Sequence, residues 1–202
     1  MRQRQAANDK TRQRILAASR KLLLGKNFSA FTMEAVARAA DVSRLTVYYQ
    51  FESKAGLLEA LYDYIARRGE IEHLASVFRQ GGDPLKTLQE FILVFAHFWA
   101  SDRQVIRRLH ALGAIDAEVG KGLRARNERR RNGLNVILKR YAHVHPAIAP
   151  QLPTALDTLH MLTSFETFDA LAGSESSFEE VVEIIRKMAH QAIEPATKPS
   201  RH

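Results

Sequence analysis

The stretch TMEAVARAADVSRLTVYYQF, residues 32–51, decides how the rest of the chain is read. It holds two short helical patterns with a tight turn between them. Thr32 suits an N-cap, because its hydroxyl can accept an N–H from the first turn. Met33, Val36, Ala37 and Ala40 then recur at helical spacing and make one apolar stripe. Asp41 tolerates turn geometry, and Val42 is an apolar plug for the angle between the helices. Ser43 is a second N-cap, and Arg44 to Gln50 form the second helix with Val47 turned inward. Arg44, Leu45, Thr46, Tyr48, Tyr49 and Gln50 are left mostly outward.

Two tyrosines, a threonine, an arginine and a glutamine on one face suit contacts to phosphates and base edges. A helix-turn-helix lays such a second helix in the major groove of DNA. Taken alone, the stretch also fits a plain helical hairpin with an exposed aromatic pair, so its neighbours have to decide.

Upstream, a helix is expected from Asp9, with Ile15, Leu16, Ser19, Leu22 and Leu23 spaced by threes and fours. Gly25 fits its C-terminal cap, and Phe28 and Phe31 supply aromatic core. Downstream, Glu52 and Ser53 open another helix. Leu57, Leu58, Leu61, Tyr62, Ile65 and Ala66 continue the apolar stripe, to about Arg79 with a loosening at Gly69. Lys54 stands in its first turn, where the helix dipole disfavours a cation.

The whole run from 9 to 68 resembles the DNA-binding domain of the TetR/AcrR family of bacterial transcriptional regulators. The residues that carry the resemblance are the first helix from Thr11, the Gly25–Phe28 turn and the Phe31-Thr32-Met33 entry. Val42 to Phe51 and the Ser53-Lys54-Ala-Gly-Leu-Leu run continue it. Two positions depart from the family's usual form. Gln50 stands where His is common, and Leu45 where a small residue or Pro is common. Both lie on the reading helix, so they bear on which operator is read. The resemblance implies that Lys54 faces a phosphate, and that Thr32, Ser43, Arg44, Leu45, Thr46, Tyr48, Tyr49, Gln50 and Lys54 form the DNA-binding set.

Charge supports a polyanion partner. Of the formal net charge of +8, residues 1–68 hold 13 Lys/Arg against 6 Asp/Glu, and residues 69–202 hold 17 against 16. A basic patch confined to one module is the footprint of nucleic acid. The chain has no cysteine, which excludes disulfides and thiolate metal sites. No apolar run approaches the roughly 20 residues that span a bilayer, and no h-region follows the charged N-terminus. A cytoplasmic location with no membrane partner is expected.

The second half begins at the Gln80-Gly-Gly-Asp-Pro84 linker. Asp83 and Pro84 open a helix rich in apolar residues, Leu85, Leu88, Phe91, Ile92, Val94, Phe95, Phe98 and Trp99. Asp102 is expected to cap a short helix ending near Gly113. A long helix to about Tyr141 follows, with Arg124, Arg126, Arg129, Arg130 and Arg131 read as a solvated face. His143 and His145 lie in a loop with three prolines and lack a third metal ligand. A helix over 154–171 and a last helix to about Ile193, opened by the Ser177–Glu180 capping box, complete the chain. Residues 1–8 and 195–202 are expected to be disordered.

The last two helices are apolar over wide arcs, which calls for burial on both sides. The economical arrangement is a homodimer closed by a four-helix bundle, and the TetR resemblance implies the same. Leu159, Leu162, Val181, Val182, Ile185 and Met188 are its expected interface. The resemblance also implies a small-molecule pocket, with Phe91, Phe95, Phe98, Trp99, His110, Met161, Phe165 and Phe168 as candidates for a largely apolar or cationic effector. Aromatics with interspersed His97, His110, His160 and Glu166 fit a mostly apolar cavity with few polar groups. Catalytic motifs, phosphate loops and metal-binding motifs do not appear, so neither an enzyme nor a cofactor is expected.

The expected architecture is therefore all-α, with about nine helices. A helix-turn-helix domain over 9–68 precedes a helical ligand-binding and dimerisation domain over 69–194. The expected function is a regulator, a repressor released from double-stranded operator DNA by a small molecule. The alternative is a DNA-bound adaptor whose second domain meets a protein partner.

Overall fold

The computed structural model describes residues 2–25, 31–79, 82–173 and 176–194. Phe28, Gln80, Gly81 and the tail from Pro195, on which expectations above rest, lie outside these. Along the chain run α1 (Arg2–Leu24), α2 (Met33–Ala39), α3 (Arg44–Phe51), α4 (Lys54–Arg68), α5 (Leu74–Arg79) and α6 (Pro84–Ser101). Then come α7 (Arg103–Ile115), α8 (Ala117–Val144), α9 (Leu152–Leu162), α10 (Phe165–Leu171) and α11 (Phe178–Ile193). Among the described residues, 3-10 turns cover Ile71–His73 and Pro146–Gln151. The described residues contain no strand, and the all-α class stands.

Among the described residues the helix count rises from nine to eleven, because two expected helices each break. The one from Ser53 stops at Arg68, where Glu70 takes a left-handed φ of 56°. A Cβ on Gly69 would lie 2.8 Å from the Phe98 ring and from Ser101 Oγ, so packing selects glycine at the break. The one over 154–171 breaks at Thr163–Ser164, where Ser164 caps α10 by accepting from Thr167 N. At the N-terminus the reverse holds. Helix α1 starts at Arg2, so the expected disordered arm is helical from residue 2 onward. Arg, Gln and Ala favour helix, and side chains at Asn8 and Arg12 are tied to residue 50.

Two compact units arise: Met1–Arg68 with Asp102–Arg124, and Gly69–Ser101 with Ala125–His202. The first unit thus adds α7 and the start of α8 to the segment expected over 9–68, and α8 is the helix that contributes to both units.

In the first unit, α1 buries Ile15, Leu16, Ser19 and Leu23, the stripe that its spacing predicts. Val36, Val47, Leu57, Leu61 and Ile65 are fully sealed, and each buried aliphatic chain stabilises the fold by about 1.5–3 kcal/mol. Helix α1 packs on α2, α4 and α7, and α3 is held between α2 and α4. Asp102 makes no capping hydrogen bond to α7. Its buried carboxylate instead accepts two bonds from Arg20 Nε, at 2.8 and 2.9 Å, and one from Arg20 Nη2. Arg68 Nε lies 3.7 Å away. A bidentate guanidinium outcompetes a backbone N–H for a carboxylate, which is why the expected cap is a clamp. The same contact holds the Arg20 guanidinium above its ordinary pKa, mainly by the hydrogen bond to Asp102.

In the second unit α6 is the axis, with Leu88, Phe91, Ile92, Phe95, Phe98 and Trp99 among its buried residues. A chain of rings runs from Phe78 to Phe91 (6.2 Å between centroids), Phe95 (4.8 Å), Trp99 (5.7 Å) and Phe165 (5.6 Å). Arg130 is buried, unlike the solvated face expected of it. Its Nη1 donates to His160 O at 2.6 Å and to Thr163 Oγ1 at 2.7 Å, while Trp99 Nε1 donates to Thr163 O at 3.0 Å. The helix break at Thr163 exposes carbonyls that would otherwise be orphaned, and Arg130 and Trp99 satisfy them. The capping box forms as its spacing predicts, with Ser177 N donating to Glu180 Oε2 at 2.7 Å and Glu180 N to Ser177 Oγ at 3.2 Å.

Gly56 gives a test in which two effects oppose. In the first turn of α4, a Cβ at this position would come within 2.3 Å of Phe51 O. Alanine favours helix by about 1 kcal/mol over glycine, yet here the α3–α4 turn would have to open. Gly56→Ala is expected to lower the melting temperature of the chain in calorimetry, the opposite of what propensity alone gives.

Candidate nucleic-acid interface

The turn between α2 and α3 is made by Asp41, whose φ of 51° is left-handed, a conformation that Asp and Asn tolerate better than most residues. Thr32 caps α2 by accepting from Ala35 N at 3.1 Å. Ser43 caps α3 by accepting from Thr46 N at 3.0 Å, and its hydroxyl also pairs with that of Thr46 at 2.8 Å. The caps orient the helices, and both threonines and Ser43 remain near the surface.

Helix α3 buries Val47 and Phe51, leaves Arg44, Leu45, Tyr48 and Tyr49 exposed as the sequence predicts, and holds Thr46 and Gln50 half-buried. Leu45 is 78% exposed and Tyr49 80%. Arg44 Nη2 donates to Tyr48 Oη at 3.4 Å, and its guanidinium lies 5.4 Å from the centre of the Tyr48 ring. That hydrogen bond is the main cause of a raised Arg44 pKa, followed by the charge of Tyr48. Arg44 and Tyr48 are one turn apart and pair with each other on the exposed side of α3. Lys54 is the first residue of α4 and is half-exposed there. Gly56 N donates to Ser53 Oγ at 3.0 Å, which fixes the start of that helix.

Sequence reasoning missed the part that α1 plays. Arg12 Nη1 donates to Gln50 O at 2.6 Å and stacks 4.3 Å from the centre of the Phe51 ring. Arg14 Nη2 donates to Asp41 O at 3.3 Å. Gln50 Nε2 donates to Asn8 Oδ1. Thus Gln50 is half-buried and engaged with α1, whereas the sequence suggests a free outward side chain. The only prior signal was the basic side of α1, which periodicity cannot assign to a partner.

The residues proposed for the second unit separate. Phe91, Phe95, Phe98, Trp99, Phe165 and Phe168 are buried together. Met161 is 56% exposed and does not join them, because it follows the polar face of α9 that also carries Asp157, paired with Arg131 at 2.6 Å. His110 belongs to the first unit, on α7. The gap lined by Ile92, Phe95, Trp99, Leu162, Phe168 and Ile185 has no room for a water molecule. His160 is pushed below the ordinary histidine pKa, first by burial and then by the charges of Arg130 and Arg131. His97 stacks on Phe178 at 4.6 Å from the outer side of α6.

The expected dimer face also needs correction. Leu159, Leu162, Val181, Val182 and Ile185 are buried inside this chain, where α11 packs on α9 and α6. Of the six residues expected there only Met188 is exposed, together with Ile184 and Met161. The wide apolar arc serves mainly the chain's own core, and a narrower stripe is left outward.

A profile of the family described as "Bacterial regulatory proteins, tetR family" matches residues 15–61, from the middle of α1 into α4. Through residues 15–61, the N-terminal domain of this chain matches the TetR family. The regulator EthR of Mycolicibacterium smegmatis is 30% identical over 87 residues, 43% of this chain and 40% of that protein. The regulator AlkX of Mycobacterium tuberculosis is 48% identical over 48 residues, 24% of this chain and 23% of that protein. The matched segment therefore spans less than half of these relatives. The TetR likeness of fold reaches further. NalD, described as the secondary repressor of the MexAB-OprM multidrug efflux pump in Pseudomonas aeruginosa, superposes with a TM-score of 0.71. It is 20% identical, and the match covers 96% of this chain and all of that one. TetR proteins are transcriptional regulators, not enzymes. Among the described residues no helix is long and apolar enough to cross a membrane.

Proposed function

We propose that this chain is a ligand-responsive transcriptional regulator that binds double-stranded operator DNA as a homodimer. In this reading it represses, and a small, largely apolar or cationic molecule releases it. The observation that carries the DNA-binding part is α3, whose inner face is sealed by Val47 and Phe51 while Arg44, Leu45, Tyr48 and Tyr49 stand open. Arg44 and Tyr48 suit base edges and phosphates, and Leu45 suits a thymine methyl group. Thr32, Ser43, Thr46 and Lys54 flank them as phosphate contacts, as at helix N-termini generally.

The effector part rests on the aromatic chain along α6. Its rings are closely packed, so an effector has to displace side chains to enter. A differential affinity of about 1–3 kcal/mol between two packings changes occupancy about 5- to 150-fold. Helix α8 contributes to both units and is the natural carrier of such a change. The filled core is also the observation that favours the second reading, an adaptor whose second unit meets a protein.

Three experiments test these points. Arg44→Ala is expected to relax base preference at one position and to cost about 1–3 kcal/mol for a bidentate contact. Lys54→Ala should weaken all sequences alike and flatten the salt dependence. Binding assays in which the two roles were exchanged would remove this assignment. For the dimer, Ile184→Glu and Met188→Glu should preserve helical circular dichroism and yield monomers in sedimentation, with DNA affinity lost because paired half-sites are no longer bound together. A wild-type chain that stays monomeric at micromolar concentration would refute dimerisation. For induction, operator DNA must weaken effector binding by the same factor by which the effector weakens DNA binding. Equal affinities with and without operator rule out a given compound. A broad screen of apolar and cationic compounds without any Trp99 fluorescence response leaves the adaptor reading.

A further inference from the structure

We infer that Asn8 of α1 is a specificity-determining positioning residue, which sets the direction of the Gln50 amide on the reading helix. The inference rests on the DNA-reading role proposed above and extends it to a residue off the helix-turn-helix. Asn8 and Arg12 lie one helical turn apart on the same face of α1. Between them they hold residue 50 twice. Arg12 Nη1 takes its main-chain carbonyl at 2.6 Å, braced by the Phe51 ring, and Asn8 Oδ1 takes its side-chain Nε2–H. Beside this pair runs an open groove whose walls are Asn8 and Thr11 of α1 and Thr46, Tyr49 and Gln50 of α3. The groove thus borders the residues that face a base edge.

A glutamine reads adenine with both amide atoms, its oxygen accepting from N6 and its nitrogen donating to N7. An unheld amide can turn over and offer the reverse pattern, because its two ends differ only in donor and acceptor. Asn8 accepts one of the two Gln50 N–H groups, which fixes the nitrogen towards α1. One N–H and the oxygen of Gln50 remain, in a set order, for a base. The side chain is also spared the loss of rotamer freedom that ordering at the DNA would demand. Asn8 therefore governs what Gln50 prefers without touching a base.

The test uses the full chain and a library of double-stranded DNA with a randomised centre, read as base preference at each position. Gln50→Ala is expected to flatten preference at one or two adjacent positions. Asn8→Ala should flatten the same positions about fivefold or more, and the double variant should lose no more than Gln50→Ala. Asn8→Asp keeps the acceptor oxygen. It should retain preference at these positions while weakening all sequences, since its negative charge faces the phosphates. Melting curves of all variants check that each is folded. If Asn8→Ala leaves those positions intact, flattens others instead, or matches Asn8→Asp there, Asn8 does not position Gln50 and the DNA-reading role stands. If Gln50→Ala flattens nothing, the inference falls and reading rests on Arg44. If the wild type selects no sequence, the DNA-reading role falls with it.

Discussion

A helix of eight residues cannot persist alone in water, because the cost of nucleating it exceeds what so few hydrogen bonds return. Helix α3 must nevertheless keep one side free of protein. Everything around it answers that constraint from behind. Val47 and Phe51 fasten its inner side to the core, Ser43 closes its first turn, and the left-handed Asp41 and Glu52 set its entry and exit. Arg12 adds a cation over the Phe51 ring and a bond to the last turn. The open face can then be polar and aromatic at no cost to the fold, and its residues are available for recognition.

The second unit solves a different problem. Packing a long aromatic helix, α6, against α9 to α11 requires the chain to bend at Thr163, and a bent helix leaves carbonyls without intrahelical partners. Trp99 and Arg130 supply donors for these groups. A buried guanidinium is costly without such bonds, so the break and the arginine depend on each other. The Asp102 carboxylate, held by Arg20 in the first unit, follows the same rule with the charges reversed.

Some of this was legible from residue order alone. The stripes at Ile15, Leu16 and Leu23, and at Leu57, Leu61 and Ile65, are set by the helical repeat. So are the caps at Thr32, Ser43 and Ser177, whose hydroxyls need only reach three residues along the chain. The division of α3 into a sealed and an open side follows from the same repeat. These are local matters, and local chemistry fixes them.

The rest depends on distance across the fold. That Asp102 clamps Arg20 rather than capping α7, that Arg130 is buried, and that Gln50 is held by Asn8 all involve residues far apart in sequence, where periodicity has no information. The breadth of the apolar arc on α11 was visible, but which part of it faces the chain's own core was not: Ile185 is 2% exposed and Met188 44%, three positions apart. Sequence by itself determined most of the helices, the caps at Thr32, Ser43 and Ser177 and the exposed side of α3, because these rest on neighbours within one or two turns. Tertiary structure alone decided which charges are buried, where long helices break and which apolar stripe stays open. Those outcomes turn on what another segment brings against a side chain, and burial is a property of the packed chain.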